Sequence, residues 1–196
     1  MGILLAAGSS SRFGADKLNQ PLPDGVPLAV QACRHLLQGT DGVLAVLRPD
    51  KPELANSLRR EGAQVVVFEQ AALGMGASLA FAVRHTAKAS GWVVALADMP
   101  WIAPSTIRTV TEAVRTGAMI AAPSWQGKRG HPVGFAGEWR DALLALQGDE
   151  GAKSLLQTHR QQVRLLACDD PGVLLDVDQP DDLLNSLSTL HFNQVS

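Results

Sequence analysis

Cysteine is scarce in this chain. Cys33 and Cys168 are the two thiols among 196 residues, which leaves no basis for a disulfide framework and suits two small apolar side chains in a reducing compartment. No apolar run approaches the ~18 residues that a membrane span requires, so the membrane is not expected as a partner. Cations are not in excess either. A formal net charge of −2 argues against a general nucleic-acid binder, which would normally be basic, and any anion the protein holds must be gripped locally. The apolar start Met1 to Gly8 has no basic segment before it and runs straight into polar Ser9 to Arg12, unlike a secretory signal, so a cytoplasmic protein is expected. Internal repeats and low-complexity linkers are absent. With 46% hydrophobic and 18% charged residues, the composition is that of an ordinary globular protein large enough for one sizeable core but short for two. The expectation is one domain over residues 1–187 followed by a frayed tail, 188–196.

Short β-rich apolar runs alternate with segments of helical period. That alternation predicts a three-layer, Rossmann-like α/β fold, a mostly parallel central sheet flanked by helices. Strands are predicted over Gly2 to Ala6, Gly42 to Leu47, Gln64 to Phe68, Trp92 to Ala97, Met119 to Pro123 and Val163 to Ala167, with a short one over Val173 to Val177. Helices are predicted around Leu28 to Leu37, Pro52 to Glu61, Ser78 to Ala87, Pro104 to Arg115, Glu138 to Leu146 and Ala152 to His159, with a terminal one over Pro180 to Leu187. Ser105 and Thr106 are candidate caps for the fourth helix.

Two places in this pattern point to chemistry. After the first strand comes Ala6-Ala7-Gly8-Ser9-Ser10-Ser11-Arg12-Phe13-Gly14-Ala15-Asp16-Lys17, a run of small residues ending in two cations five positions apart. Small side chains let backbone N–H groups approach phosphate oxygens, and the cations neutralise the remaining charge. The run is not a P-loop, lacking the terminal Gly-Lys-Ser/Thr, nor a dinucleotide fingerprint, lacking G-x-G-x-x-G. Taken alone, a triphosphate grip and a solvated surface loop account for it equally well. The fourth strand delivers Asp98 to its C-terminal end, where ligands of open α/β sheets bind. A carboxylate there suits Mg²⁺, which takes one or two carboxylates besides substrate phosphates. It equally suits a cap on the turn before Met99-Pro100.

The residues Leu5-Ala6-Ala7-Gly8-Ser9-Ser10-Ser11-Arg12-Phe13-Gly14, followed by Lys17-Leu18, resemble the opening motif of the MobA-like nucleotidyltransferases, and most closely the molybdenum cofactor cytidylyltransferases. Asp98-Met99-Pro100 is similar to that family's metal-binding Asp-Met-Pro. Gly74-Met75-Gly76-Ala77-Ser78-Leu79 resembles the Gly-Met-Gly-x-Ser-Leu of the cytidylyltransferases, and Gly130-His131-Pro132-Val133-Gly134-Phe135 the acceptor-side Gly-His-Pro-Val-x-Phe. Gly148-Asp149-Glu150-Gly151-Ala152-Lys153 and Leu175-Asp176-Val177-Asp178-Gln179-Pro180 resemble two later motifs, with Lys153 in place of an arginine, which loses the bidentate fork. The likeness spans Leu4 to about Leu183 and implies a fold of the nucleotide-diphospho-sugar transferase type. It further implies that Ala6, Ala7, Gly8, Ser9, Gly74, Gly76 and Ser78 line the nucleotide, that Arg12 holds the β- and γ-phosphates, and that Lys17 reaches the α-phosphate. Asp98 and Asp178 would hold Mg²⁺, with Mn²⁺ as an alternative, while His131, Pro132, Asp149 and Asp176 would face the acceptor. Independently of the resemblance, a turn histidine bonded to backbone accounts better for His131 than acid–base catalysis, and helix capping competes for Asp149. Asp181 and Asp182 fall in a first helical turn, where negative charge is favourable without any chemistry.

The implied reaction is Mg²⁺-dependent transfer of CMP from CTP to the phosphate of a molybdopterin-type acceptor. Ala7, where guanylyltransferases usually have glycine, and the Gly74 to Leu79 loop favour CTP over GTP. A phosphate monoester is mostly dianionic at neutral pH, with a second pKa of about 6, so the absence of an obvious general base does not count against the reaction. Alternatives are the same chemistry with another NTP or phosphorylated acceptor, such as GTP-dependent guanylylation, and a non-catalytic chaperone that hands molybdenum cofactor to an oxidoreductase. Transient contact with a molybdenum oxidoreductase or its chaperone fits either. A nicotinamide-dependent oxidoreductase lacks its glycine fingerprint. Asp98→Ala and Lys17→Ala should each abolish turnover while circular dichroism remains unchanged; near-normal rates in a folded Asp98→Ala protein would remove Asp98 from the reaction.

Overall fold

The computed structural model describes residues 1–8, 16–149, 151–179 and 182. Among them, eight strands form one sheet: β1 Gly2–Ala6, β2 Val43–Leu47, β3 Gln64–Val67, β4 Gly91–Leu96, β5 Ile120–Trp125, β6 Lys128–Arg129, β7 Val133–Ala136 and β8 Val163–Ala167. The helices are α1 Leu28–Gly39, α2 Pro52–Arg60, α3 Met75–His85, α4 Pro104–Arg115, α5 Arg140–Leu144 and α6 Lys153–Thr158. Strand order is β3-β2-β1-β4-β7-β5-β6, with β8 on the other edge of β5. The pairs β3–β2, β2–β1, β1–β4 and β5–β8 are parallel, while β7 and β6 run antiparallel to their neighbours. The mostly parallel α/β architecture predicted from sequence is present.

Both faces of the sheet are covered, which is why β1 and β2 are apolar at every position rather than at alternate ones. Leu4, Ala6, Ala45, Leu47, Val93 and Ala95 point to one face and pack with Leu28, Leu36, Leu54, Leu58, Ile107 and Val110 of α1, α2 and α4. Ile3, Leu5, Leu44, Val46, Trp92 and Val94 point the other way, against Leu79 and Val83 of α3, Leu143 of α5 and Leu156 of α6. The period of two along each strand thus sorts neighbouring residues into two cores. Trp92 is fully buried and donates its indole N–H to Thr86 Oγ1 at 2.8 Å, so that its own donor is satisfied within the second core.

Three sequence expectations are corrected. No strand is predicted between Pro123 and Val163, yet Val133–Ala136 is a buried central strand. Gly134 interrupts its apolar run because a Cβ there would lie 2.6 Å from Val114 and 2.9 Å from Val110, so α4 can approach only a bare backbone. Val173 to Val177 is not a strand; Pro171–Leu174 is a 3₁₀ turn. Its two valines are fully buried, so the apolar spacing reflects packing without pairing. Finally, neither Ser105 nor Thr106 caps α4. Asp170 takes that role from a distance, accepting from the Ala103 amide at 2.9 Å and from the Thr106 hydroxyl at 2.7 Å. Of the expected terminal helix over 180–187, all but Asp182 lies outside the described residues.

α1 and α4 cross at Gly39, where an added Cβ would lie 2.4 Å from Ile107 Cγ2 and 2.6 Å from Ile107 Cβ. Gly39→Ala must therefore push the helices apart, and overpacking of this kind typically costs about 1–3 kcal/mol. Chemical denaturation should register a loss in that range, and an unchanged midpoint would refute the close crossing.

Candidate active site

The C-terminal ends of β1, β2 and β4 open on one cleft of about 690 Å³. Its walls contain Ala6 at the end of β1 with Ala7 and Gly8 after it, Arg48 after β2, Asp98 beyond β4, and Gly74, Met75 and Ser78 where α3 begins. Lys17, Asp149 and Asp178 complete the polar lining. Nine of the residues singled out from sequence therefore meet in one place: Ala6, Ala7, Gly8, Lys17, Gly74, Ser78, Asp98, Asp149 and Asp178. Ser9 and Arg12 lie outside the described residues. Arg48 was not anticipated. Its signal was available, since it is a cation immediately past the end of a parallel strand, the same placement that drew attention to Asp98. It is 39% exposed and paired with Asp50, so its side chain is held at the cleft rim.

Lys17 is the centre of this arrangement. It opens a 3₁₀ turn, Lys17–Asn19, whose Leu18 is buried in the first core. The preceding Asp16 is tied to Lys51 at the start of α2 by an ion pair of 2.9 Å and receives the Asn19 side-chain amide at 2.8 Å. From this anchored turn, Nζ donates to Asp98 Oδ2 at 2.9 Å and to Asp178 Oδ1 at 3.1 Å. Burial alone pulls the lysine down, but its bonds to the two carboxylates and their charges prevail, so it titrates above its ordinary value and is charged at neutral pH.

The main chain that carries each carboxylate is held independently of the lysine. Asp98 follows β4, and its carbonyl accepts the Val177 amide at 3.0 Å, while the Val177 side chain is fully buried. Asp182 then accepts the amides of Asp178 and Gln179, each at 2.7 Å. The first-turn charge expected of Asp182 thus acts at a specific place, orienting the loop that presents Asp178. Sequence reasoning had no signal for this, because the pairing depends on how the chain turns after Val177.

The Gly74 loop is shaped by close approach to protein. Gly74 has φ of +104°, and a Cβ there would lie 2.4 Å from both Asp149 Oδ1 and the Gly148 carbonyl carbon. The Gly76 amide is spent on Gly148 O at 2.7 Å, and Ser78 gives both its amide and its hydroxyl to Gly74 O at 3.1 Å. The expectation that these glycines free backbone donors for a nucleotide is corrected for Gly76, whose N–H is already bonded and which does not line the cleft. The same packing puts Asp149 on the Gly74 wall, away from the other residues expected at the acceptor.

His131, Pro132 and Asp176 do not line the cleft. His131 lies at the junction of β6 and β7, its amide bonded to Val173 O at 2.9 Å, and within electrostatic range of Asp98. That bond uses the main-chain amide only; on the ring, Nδ1 is out of reach of solvent and has no partner. Burial first, and the nearby Arg129 second, lower its pKa to about 4. Asp176 is raised above the usual carboxylate range, first by burial and then by the charges of Asp178 and Asp98. Among the described residues, no group of three or more histidine, cysteine or acidic side chains forms a ready-made metal site. Asp98 and Asp178 are the pair that could hold a divalent cation, since their oxygens already converge on one cation, Lys17 Nζ.

The MobA-like NTP transferase domain matches residues 2–173. Purine catabolism protein PucB of Bacillus subtilis (strain 168) is 28% identical over 193 residues, covering 93% of each chain. Nicotine blue oxidoreductase of Paenarthrobacter nicotinovorans is 27% identical over 197 residues, covering 95% of each. Among solved structures, Rv0371c of Mycobacterium tuberculosis H37Rv superposes with a TM-score of 0.82 at 32% identity, covering 95% of this chain and 96% of that one. A second structure of that protein, a complex with manganese, gives a TM-score of 0.80 at 29% identity, covering 96% and 97%.

The depressed pKa of His131 has a consequence for stability. The unfolded chain takes up a proton near pH 6.5 and the native one only near pH 4, so this contribution is whole above pH 6.5 and lost as pH falls through that window. Between pH 7 and 5 the wild type should lose about 2 kcal/mol more stability than His131→Gln. Parallel pH profiles of chemical denaturation for the two proteins would refute the buried neutral imidazole.

Proposed function

The chain belongs to the MobA-like NTP transferase domain family, and from that membership we propose that it transfers a nucleotide from a nucleoside triphosphate, CTP in the first instance, to the phosphate of a molybdopterin-type acceptor. The observation that carries the proposal is the convergence of Asp98 and Asp178 on Lys17 at the edge of a cleft bounded by Ala6, Ala7 and Gly8. Two carboxylates at the edge of an open cleft fit Mg²⁺ or Mn²⁺, which complete their shells with substrate oxygens and water. A divalent cation there would neutralise triphosphate charge and polarise the phosphorus–oxygen bonds.

The rest of the chemistry falls to the chain itself. Asp98 and Asp178 would hold the cation where the strand ends meet the cleft. Lys17, and Arg12 by sequence resemblance, stabilise negative charge on the triphosphate as it moves to the departing pyrophosphate. An acceptor phosphate attacks the α-phosphorus in line, its oxygen forms the new P–O bond, and the bond to the β-phosphate breaks. The attacking group is already deprotonated, so no side chain need remove a proton. Ala71, Ala72 and Met75 give one wall an apolar, low-profile surface suited to a planar base. His131 and Asp176, beside Asp98 but outside the cleft, are assigned to the acceptor side. Asp149, on the Gly74 wall, is reassigned to the nucleotide.

An oxidoreductase, as one relative is named, has less support. The loop Ala6 to Lys17 has no G-x-G-x-x-G to hold a dinucleotide, whereas the grouping of Lys17 with Asp98 and Asp178 suits a triphosphate and a metal. Pyrophosphate release should be measured with each of the four NTPs, Mg²⁺ or Mn²⁺, and molybdopterin cofactor. The expected result is release that requires metal and acceptor, with CTP at least about tenfold faster than GTP. A preference for GTP would overturn the cytidine assignment, and tight cofactor binding without pyrophosphate would overturn transfer in favour of a carrier.

A further inference from the structure

The position that joins Asp98 to Asp178 is held by a side chain of the protein itself. Lys17 Nζ lies 2.9 Å from one carboxylate and 3.1 Å from the other, and these oxygens belong to the pair assigned above to a divalent cation. An ammonium and a divalent cation cannot both be seated between the same two oxygens, because like charges at contact repel strongly in a partly buried setting. One of them must leave. The two aspartates have the anchored main chains, Asp98 through strand β4 and the Val177 amide, Asp178 through Asp182, and each carries its carboxylate on a single methylene. Lysine is the movable one, a point charge on a flexible four-carbon stem.

Charge bookkeeping gives the direction in which it moves. The three groups sum to −1 with the ammonium in place, so the pair is left only slightly negative and attracts a divalent cation weakly. Once such a cation is seated, the same groups sum to +1, and the displaced ammonium needs an anion. The cleft onto which Lys17 opens is where a triphosphate would supply one. We infer that Lys17 is the resident counter-ion of the Asp98–Asp178 pair, that it competes directly with the metal, and that triphosphate resolves the competition by taking the ammonium. Metal and nucleotide therefore bind as a coupled pair, each raising the affinity of the other by the same factor. The inference rests on the reading of the site under Proposed function, but it adds a property which that reading does not require. It also gives Lys17 a second role, preventing premature loading of the metal site in the absence of nucleotide.

The test is Mn²⁺ binding, followed by the electron paramagnetic resonance signal of the free ion, with no turnover involved. Wild type should bind Mn²⁺ weakly alone and more tightly with a non-hydrolysable CTP analogue. Lys17→Met should bind Mn²⁺ alone more tightly than wild type, on the order of tenfold, and gain less from the analogue. Lys17→Gln, which removes the charge but keeps a donor, supplies the same comparison should the methionine variant fail to fold. Wild-type binding that disappears in Asp98→Asn and Asp178→Asn, together with Lys17 variants that bind Mn²⁺ no more tightly than wild type, overturns this inference and leaves the site reading standing. A wild type that binds no Mn²⁺ with or without the analogue overturns both.

Discussion

Burial of both faces of the sheet is the constraint from which the architecture follows. A strand covered on two sides must be apolar throughout, so it can carry no chemistry along its length. Polar function is displaced to the points where strands end. Ala6, Arg48 and Asp98 follow this rule: each lies at or just beyond the end of a parallel strand, and the parallel register of β1 with β2 and β4 brings those ends to one edge. The cleft is thus a product of sheet geometry before any residue in it is specified.

Onto that edge the fold then gathers charge from three distant parts of the chain. Lys17 comes from an anchored turn near the start, Asp98 from the middle and Asp178 from a turn near the end. Their assembly depends on apolar residues beside them in sequence. Leu18 is sunk in the core next to Lys17, Ala97 and Met99 flank Asp98, and Val177 is buried next to Asp178. Each ionic group is adjacent to a hydrophobic anchor, so packing energy sets the positions at which charges must meet. The charges themselves, partly exposed, would be a weak means of assembly.

The loops on the far wall obey a different logic. Gly74 and Gly76 look in sequence like residues kept small for a ligand, whereas the tight contacts made by Gly74 and Gly76 are with Gly148, Asp149 and Gln147 of the protein. Two loops interlock there, and the consequence for function is indirect: the carboxylate of Asp149 is carried into the cleft beside Gly74. A glycine's smallness can thus report protein–protein approach as readily as ligand approach.

Local pattern alone determined the parallel α/β core, the four strand runs free of polar side chains (Gly2 to Ala6, Gly42 to Leu47, Trp92 to Ala97 and Met119 to Pro123), and the position of Asp98 at the end of one of them, because those features need only the period of side chains and the chemistry of neighbours. Strand β7 escaped because Gly134 breaks its run for the benefit of α4, and Val173 to Val177 resembled a strand because two separate packing contacts happened to fall four residues apart. Contacts across the chain were the province of the tertiary structure. The bonds from Lys17 to Asp98 and Asp178 span 81 and 161 residues, and no spacing rule reaches that far. The unpartnered Nδ1 of His131, the consumed amide of Gly76 and the orienting role of Asp182 likewise exist only once the chain has closed on itself, since burial and hydrogen-bond competition are properties of surroundings that the sequence does not display.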